Sequence, residues 1–73
     1  MNERLEKFAR DTLKEDLAFL GLHDMWYLRK FRLMYSGNNL GLSIDEVVDR
    51  MPAEKLDWAL TQTANTLANH VKV

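Results

Sequence analysis

The chain has 73 residues, which is enough for one domain near the lower size limit of independent folding. It contains no cysteine, which excludes disulfide bonds, thiolate metal sites and thiol nucleophiles. Ten basic and 11 acidic residues give a formal net charge of −1, which argues against bulk electrostatic attraction to nucleic acid or to an anionic membrane.

The N-terminal residues, MNERLEKFAR, do not have the pattern of a secretory signal, because they are charged and helical in spacing rather than basic and then apolar. No apolar stretch approaches the length that spans a membrane. Together with the lack of cysteine, these observations predict a cytoplasmic protein with no membrane partner.

The first helix is predicted over residues 3–20. Two surface ion pairs at i,i+4 spacing are expected on it, Glu3–Lys7 and Glu6–Arg10. Its core side is predicted from apolar residues that recur at helical spacing, which are Leu5, Phe8, Ala9, Leu13, Leu17, Phe19 and Leu20.

The end of this helix is predicted at Gly21, because glycine readily takes the left-handed conformation just past a helix. Leu22 would then pack back on Leu17, as in a Schellman ending. The two histidines lie far apart in the sequence, so we interpret His23 as a loop residue rather than as a metal ligand acting with His70.

Asp16 projects from the apolar side of the first helix, where a carboxylate needs a charged or hydrogen-bonding partner. We expect either an ion pair with Arg29, Arg32 or His23 or an acid that reaches solvent near the helix end. A catalytic acid is the alternative interpretation, but no second catalytic group is spaced to work with it.

The second helix is predicted over residues 24–36, with Asp24 as its N-cap. A second, smaller apolar side is formed by Trp26 and Leu33, flanked by Arg29 and Lys30. In one interpretation neighbouring helices cover this side, and in the other it stays exposed and binds a partner, since Trp and Arg are enriched among interface anchors. The core side is predicted from Tyr27, Leu28, Phe31, Met34 and Tyr35.

The third helix is short and is predicted over residues 44–51, after the loop SGNNLGL. Ser43 and Glu46 have the spacing of a capping box, in which each side chain bonds the backbone of the other residue. Leu42 and Val47 are placed to form the accompanying hydrophobic staple.

The fourth helix is predicted over residues 52–70, because Pro52 suits the first helical turn. No Asp, Glu, Lys or Arg occurs from Trp58 to His70. This indicates either self-association through this helix or an uncharged polar face that remains after Trp58 folds against the third helix. Leu56, Ala59, Leu60, Thr63, Leu67 and Val71 are predicted on its core side. The opposite side carries Trp58, Gln62, Asn65 and Asn69.

Three segments resemble a repressor-type helix-turn-helix: LRKFR, then GLSIDEVVDRMP, then AEKLDWAL. Two residues depart from that motif, since Pro52 stands where glycine is usual and Val48 where a small alanine is usual. The helix that would enter DNA also opens with two acidic residues, which disfavours contact with phosphates.

YLRKFR at residues 27–32, followed by TAN at 63–65, is similar to the small Hha/YmoA nucleoid-associated regulators. The long first helix predicted here has no counterpart in that pattern. The resemblance implies a small helical protein that acts on a larger DNA-binding protein.

The sequence therefore predicts one all-α domain over residues 1–73, a compact bundle of about four helices with the third helix short. We expect a non-enzymatic interaction or regulatory module that binds a larger protein, with self-association into a homodimer as a further possibility and a helix-turn-helix regulator as the alternative. No catalytic residue, metal or cofactor is predicted. The predicted contact residues are Trp26, Arg29, Lys30 and Leu33 on the second helix and Trp58, Gln62, Asn65 and Asn69 on the fourth.

Overall fold

The structure is a computed structural model that describes residues 2–23, 25–36 and 41–71. Over these ranges the chain forms four α-helices and one 3₁₀ turn, and no strand, which confirms the predicted small all-α bundle. The predicted N-cap Asp24 and loop residues 37–40 lie outside the described residues. The elements are α1 (Glu3–His23), α2 (Met25–Ser36), α3 (Ile44–Arg50), the 3₁₀ turn (Ala53–Lys55) and α4 (Leu56–Val71).

α1 continues past the predicted stop, so the Schellman ending at Gly21 is wrong. An added Cβ at Gly21 would lie 2.7 Å from Cδ1 of Leu28, which shows that the bare glycine lets α2 approach the α1 backbone closely. Leu22 does not pack on Leu17, because its side chain is 83% exposed. Close helix packing, rather than a helix end, therefore explains the glycine.

α1 and α4 pack side by side and run parallel. Near their N-terminal ends, Ala9 and Leu60 line the same shallow hollow. Near their C-terminal ends, the rings of His23 and His70 lie 6.1 Å apart. Because α1 also packs against α2 and α3, it contacts every other helix of the described bundle.

α2 lies antiparallel to α4. Near the start of α2, the Tyr27 hydroxyl lies 3.2 Å from Oγ1 of Thr63, which is fully buried. Near the end of α2, the ring of Tyr35 meets that of Trp58 edge-on, with centroids 6.2 Å apart. Along α2, successive aromatic residues therefore contact successively earlier residues of α4.

The hydrophobic core draws on all four helices and on Leu42 and Met51, which flank α3. Several residues predicted on core sides are nevertheless exposed, namely Leu5, Phe8, Phe19 and Met34, because a bundle this small covers only the centre of each broad apolar side. The core cluster consists of Ala9, Leu13, Leu17, Leu28, Phe31, Leu42, Val47, Val48, Met51, Leu56 and Ala59.

The start of α3 is formed as predicted. Oγ of Ser43 accepts a hydrogen bond from the backbone N–H of Glu46 at 3.2 Å, and a carboxylate oxygen of Glu46 accepts one from the backbone N–H of Ser43 at 3.5 Å. Leu42 and Val47, the predicted staple residues, both belong to the buried core cluster. The capping box and its flanking residues therefore fix this helix start locally.

α4 begins later than predicted. Pro52 is extended, with φ −60° and ψ 143°, because its ring restricts φ but leaves ψ free. The chain then makes the 3₁₀ turn, with the N–H of Lys55 bonded to the carbonyl of Pro52 at 3.0 Å, before α4 starts at Leu56. The prediction of one helix from Pro52 was therefore wrong over its first turn.

Arg10 joins α1 to the end of α3, a role that the sequence analysis missed. Its Nη1 donates hydrogen bonds to the carbonyls of Val48, at 2.5 Å, and Met51, at 2.9 Å. Its Nη2 donates to Glu6 at 2.7 Å, which confirms that predicted ion pair. A partly buried guanidinium thus bonds two carbonyls at the end of α3, and the carbonyl of Val48 also accepts the backbone N–H of Met51 at 3.2 Å.

Two other ion pairs lie on the surface of α1. Lys7 contacts Asp11 at 2.7 Å rather than Glu3, so that predicted pair was wrong. This hydrogen bond lowers the pKa of the Asp11 carboxyl. Lys14 reaches α3 and contacts Asp49 at 2.9 Å.

Candidate functional site

The two predicted contact sets meet at one groove between α2 and α4, which we call the α2–α4 groove. Trp26 and Lys30 come from α2, and Trp58 and Gln62 come from α4. The antiparallel arrangement of these helices brings the two sets together. The full lining consists of Trp26, Tyr27, Lys30, Phe31, Met34, Trp58, Gln62 and Thr66.

Both tryptophans of the chain are open to solvent at this groove. Trp26 is 68% exposed and Trp58 is 43% exposed. The interpretation that neighbouring helices cover Trp26 is therefore wrong, and the interpretation that leaves this side exposed agrees with the structure. The side chain of Met34, predicted to lie in the core, is also exposed at the groove.

The ring of Trp26 is held by a cation on its own helix. Nζ of Lys30 lies 5.1 Å from the ring centroid, within the range of a cation–π interaction. This contact restricts the ring on the surface and keeps a positive charge beside it. A partner would thus meet an apolar ring and an ammonium group together.

A second hollow adjoins the groove at Trp26, and we call it the basic hollow. Arg29 and Arg32 supply its charge, and Met25, Trp26 and Leu28 supply its apolar lining. Nε of Arg32 is shielded from solvent and has no hydrogen-bond partner among the described residues. Such a donor is costly unless an acceptor reaches it.

The groove is also continuous with a third, smaller hollow at the other end of α2. Met34 and Trp58 line both, and Lys55 adds a further positive charge beside Tyr35. The three hollows together carry Arg29, Lys30, Arg32 and Lys55, and no Asp or Glu belongs to the described residues that line them.

Four predicted contact residues do not line the groove. Arg29 lines the basic hollow beside it, and Leu33, Asn65 and Asn69 are exposed outside both. Sequence reasoning also missed Thr66, and it considered Arg32 only as one of three candidate partners of Asp16. The missed signal was the position of Thr66, one helical turn after Gln62 on the uncharged helix.

Asp16 is partly buried and belongs to none of the ion pairs within residues 2–23, 25–36 and 41–71. The predicted pairing with Arg29, Arg32 or His23 is therefore wrong. Burial raises the pKa of the Asp16 carboxyl, and the negative charge of neighbouring Glu15 raises it further. The carboxylate form thus destabilises the fold.

Replacing Asp16 with asparagine is expected to raise the free energy of unfolding at neutral pH. Because the carboxyl pKa is higher in the folded chain than in the unfolded chain, stability falls as pH rises through these two values. The increase in the free energy of unfolding should be complete at pH values above the folded-state pKa. It should disappear below the pKa of the unfolded chain, about 3.9. Urea unfolding of both proteins at neutral pH and at roughly pH 3 measures the difference.

Glu15→Gln serves as the comparison, because it removes only the smaller cause of the shift and should give a smaller gain in the same direction. A gain for Asp16→Asn that is equal at the two pH values would contradict the assignment to the charge of this carboxylate.

His23 is the last residue of α1 and not a loop residue as predicted. Its ring lies 4.7 Å from that of Phe19 and 6.1 Å from that of His70, so the fold brings the two histidines together. Within the described part of the chain, no three His, Asp or Glu side chains cluster in a way that would hold a metal ion. None of the described helices is both long and apolar enough to cross a membrane.

The exposed tryptophans, the four cations and the enclosed Arg32 donor are the main features of this surface. Comparison of the chain with protein-family models, with curated proteins and with solved structures finds no match. The function is accordingly inferred from the α2–α4 groove and the basic hollow beside it.

Proposed function

We propose that the chain is a non-enzymatic interaction or regulatory module that binds a larger protein through the α2–α4 groove. The observation that carries this proposal is the exposure of Trp26 and Trp58 on one continuous groove. Tryptophan dominates many protein interfaces because one side chain removes a large apolar area from water on binding. A domain this small has few large apolar side chains to bury, so the exposure of both indoles reduces the apolar area available to its own core.

The polar groups of the groove support recognition rather than acid–base chemistry. Lys30 lies over an indole ring, and Gln62 offers an amide. The hydroxyl of Thr66 donates to the backbone carbonyl of Gln62 at 3.0 Å, so its oxygen remains as an acceptor. Groups of this kind, spaced around apolar side chains, fix the orientation of a bound chain. The groove is open to solvent at both tryptophans, which suits the surface of a macromolecule better than a small substrate.

Self-association remains part of this proposal through a different surface. Leu5 and Phe8 of α1 are exposed beside Leu60 of α4, and the exposed positions of α4 after Asp57 carry no Asp, Glu, Lys or Arg. An uncharged face next to exposed apolar side chains is typical of helical interfaces. A dimer formed through Leu5, Phe8 and Leu60 would not use the α2–α4 groove, since none of these three residues lines it.

DNA binding is the second candidate, because α3 and α4 follow each other in the order that the helix-turn-helix resemblance requires. Glu54 and Asp57 are exposed at the start of the helix that would enter the major groove. Their charge opposes contact with phosphates. We therefore place this candidate behind protein binding.

Trp26→Ala is expected to abolish capture of a protein partner in an affinity pull-down of the tagged chain from bacterial lysate. Trp58→Ala should weaken capture strongly as well, because both rings line the same groove. Leu22→Ala is the matched control, since it removes an exposed apolar side chain that lies outside the groove. Mass spectrometry identifies the retained proteins, and circular dichroism checks that each variant is folded.

The pull-down is repeated after nuclease treatment. A protein that is retained after nuclease and lost with Trp26→Ala supports the proposal. Retention that vanishes entirely with nuclease would favour the helix-turn-helix candidate. Retention that both folded tryptophan variants preserve would contradict the groove as the working surface.

A further inference from the structure

The chemistry of the α2–α4 groove and its neighbouring hollows restricts the class of partner. We infer that this surface binds an acidic amphipathic helix of another protein, with apolar side chains between Trp26 and Trp58 and carboxylates facing the surrounding cations. This inference rests on the proposed function and adds to it the charge and the secondary structure of the bound segment.

Charge complementarity is the first argument. The net charge of the whole chain is −1, yet the groove and the two hollows that adjoin it carry four cations and no described acidic residue. This segregation produces a positive surface on a slightly negative protein. Such a surface attracts an acidic partner and repels a basic one.

The two arginines of the basic hollow also favour an acidic partner. Arg29 and Arg32 both line this hollow. Guanidinium groups bind carboxylates with paired hydrogen bonds, so an acidic side chain of the partner would be held here. Trp26 and Leu28 line the hollow too, so an acidic side chain placed there would lie beside an apolar contact.

The dimensions of the groove are the third argument. Trp26 and Met34 lie eight positions apart on α2, a separation of about 12 Å along the helix axis. That distance matches roughly two turns of a partner helix, whose apolar residues recur at positions i, i+4 and i+7. A groove between two helices is also the usual site for a third helix with one apolar face.

A single strand of nucleic acid is the competing occupant, because exposed indoles and cations also suit stacked bases and phosphates. The groove favours protein because its lining includes the side chains of Tyr27 and Phe31, which fit apolar side chains between the helices.

Selection from a display library of helical peptides with randomised surface positions tests the inference. On the unmodified protein, we expect selected peptides to carry apolar residues at i, i+4 and i+7, and Asp and Glu about tenfold more often than Lys and Arg at flanking positions. The double variant Arg29→Gln/Arg32→Gln should lose this acidic preference while keeping the apolar pattern. The double variant Arg4→Gln/Arg50→Gln removes the same charge at exposed positions outside the three hollows and should keep both features.

The outcomes separate this inference from the proposed function. An apolar pattern without acidic preference, or equal loss of that preference in both double variants, would overturn the acidic helix and leave the proposed function standing. Peptides selected equally well on Trp26→Ala would overturn the groove itself.

Two further experiments test the other molecules that the groove would bind, namely single-stranded nucleic acid and a second copy of the chain. A fluorescent single-stranded oligonucleotide should not displace the selected acidic peptides, and displacement at lower concentration than a peptide of the same charge would assign the surface to nucleic acid. Sedimentation should show the same association state for the unmodified chain and for Trp26→Ala. Association that Trp26→Ala abolishes would assign the groove to a second copy of the chain.

Discussion

Leu17→Ala is expected to lower the free energy of unfolding by about 3 kcal/mol, within the range of roughly 2 to 5 kcal/mol for a leucine removed from a core. The Leu17 side chain is fully buried within the core cluster, on the helix that contacts every other described helix. Truncation removes apolar contacts and leaves a cavity that the surrounding helices close only in part. Since a domain of this size is stable by only a few kcal/mol, most of its stability should be lost.

Leu22→Ala is the matched control for that substitution. It makes the same chemical change on the same helix, but the Leu22 side chain is exposed and should contribute within about 0.5 kcal/mol. Urea unfolding followed by circular dichroism measures both variants under the same conditions. Similar losses for the two leucines would contradict the continuation of α1 through Gly21, because only a Schellman ending would bury Leu22 on Leu17.

Arg10→Met is expected to lower the free energy of unfolding by about 2 kcal/mol, as charged hydrogen bonds in partly buried surroundings contribute roughly 1.5 to 3 kcal/mol. Methionine keeps most of the apolar stem but removes the guanidinium that bonds the carbonyls of Val48 and Met51. The carboxylate of Glu6 would lose its cation as well. The negative end of the α3 dipole would lose the charge of Arg10 and keep that of Arg50 in its own last turn.

Lys7→Met provides the control for the removal of a cation from α1. The ion pair of Lys7 with Asp11 lies on the surface, where solvent screens it, so little change in the free energy of unfolding is expected. Hydrogen exchange should show the loss of protection in Arg10→Met concentrated in α3 before the whole bundle opens. Equal effects of the two substitutions would contradict the role of Arg10 as the cap of α3.

Local signals in the sequence identified the elements whose causes are themselves local. The capping box of Ser43 and Glu46 determines the start of α3 through bonds between near neighbours, so its spacing was sufficient to predict it. Gly21 misled the prediction because its role depends on Leu28, which arrives from another helix. Arg10 was missed for the same reason, since its acceptors lie 38 and 41 positions away in the sequence.

The candidate site shows the same division between local and tertiary information. Helical spacing placed Trp26 with Lys30 on one helix and Trp58 with Gln62 on another, as two separate surfaces. Their union into a single groove depends on the antiparallel arrangement of α2 and α4, which the spacing within each helix does not contain. Spacing also failed to separate buried from exposed residues on broad apolar sides, so Met34 was assigned to the core.

The parallel pairing of α1 with α4 has a consequence for the rate of folding. Helices that run parallel cannot be joined by a short turn, so the chain must travel back along the bundle before α4 can meet α1. Ordering this intervening segment carries a loop-closure entropy that the α1–α4 contact must offset. A bundle of neighbouring antiparallel helices avoids this delay, and we therefore expect this chain to fold more slowly than such a bundle of equal stability.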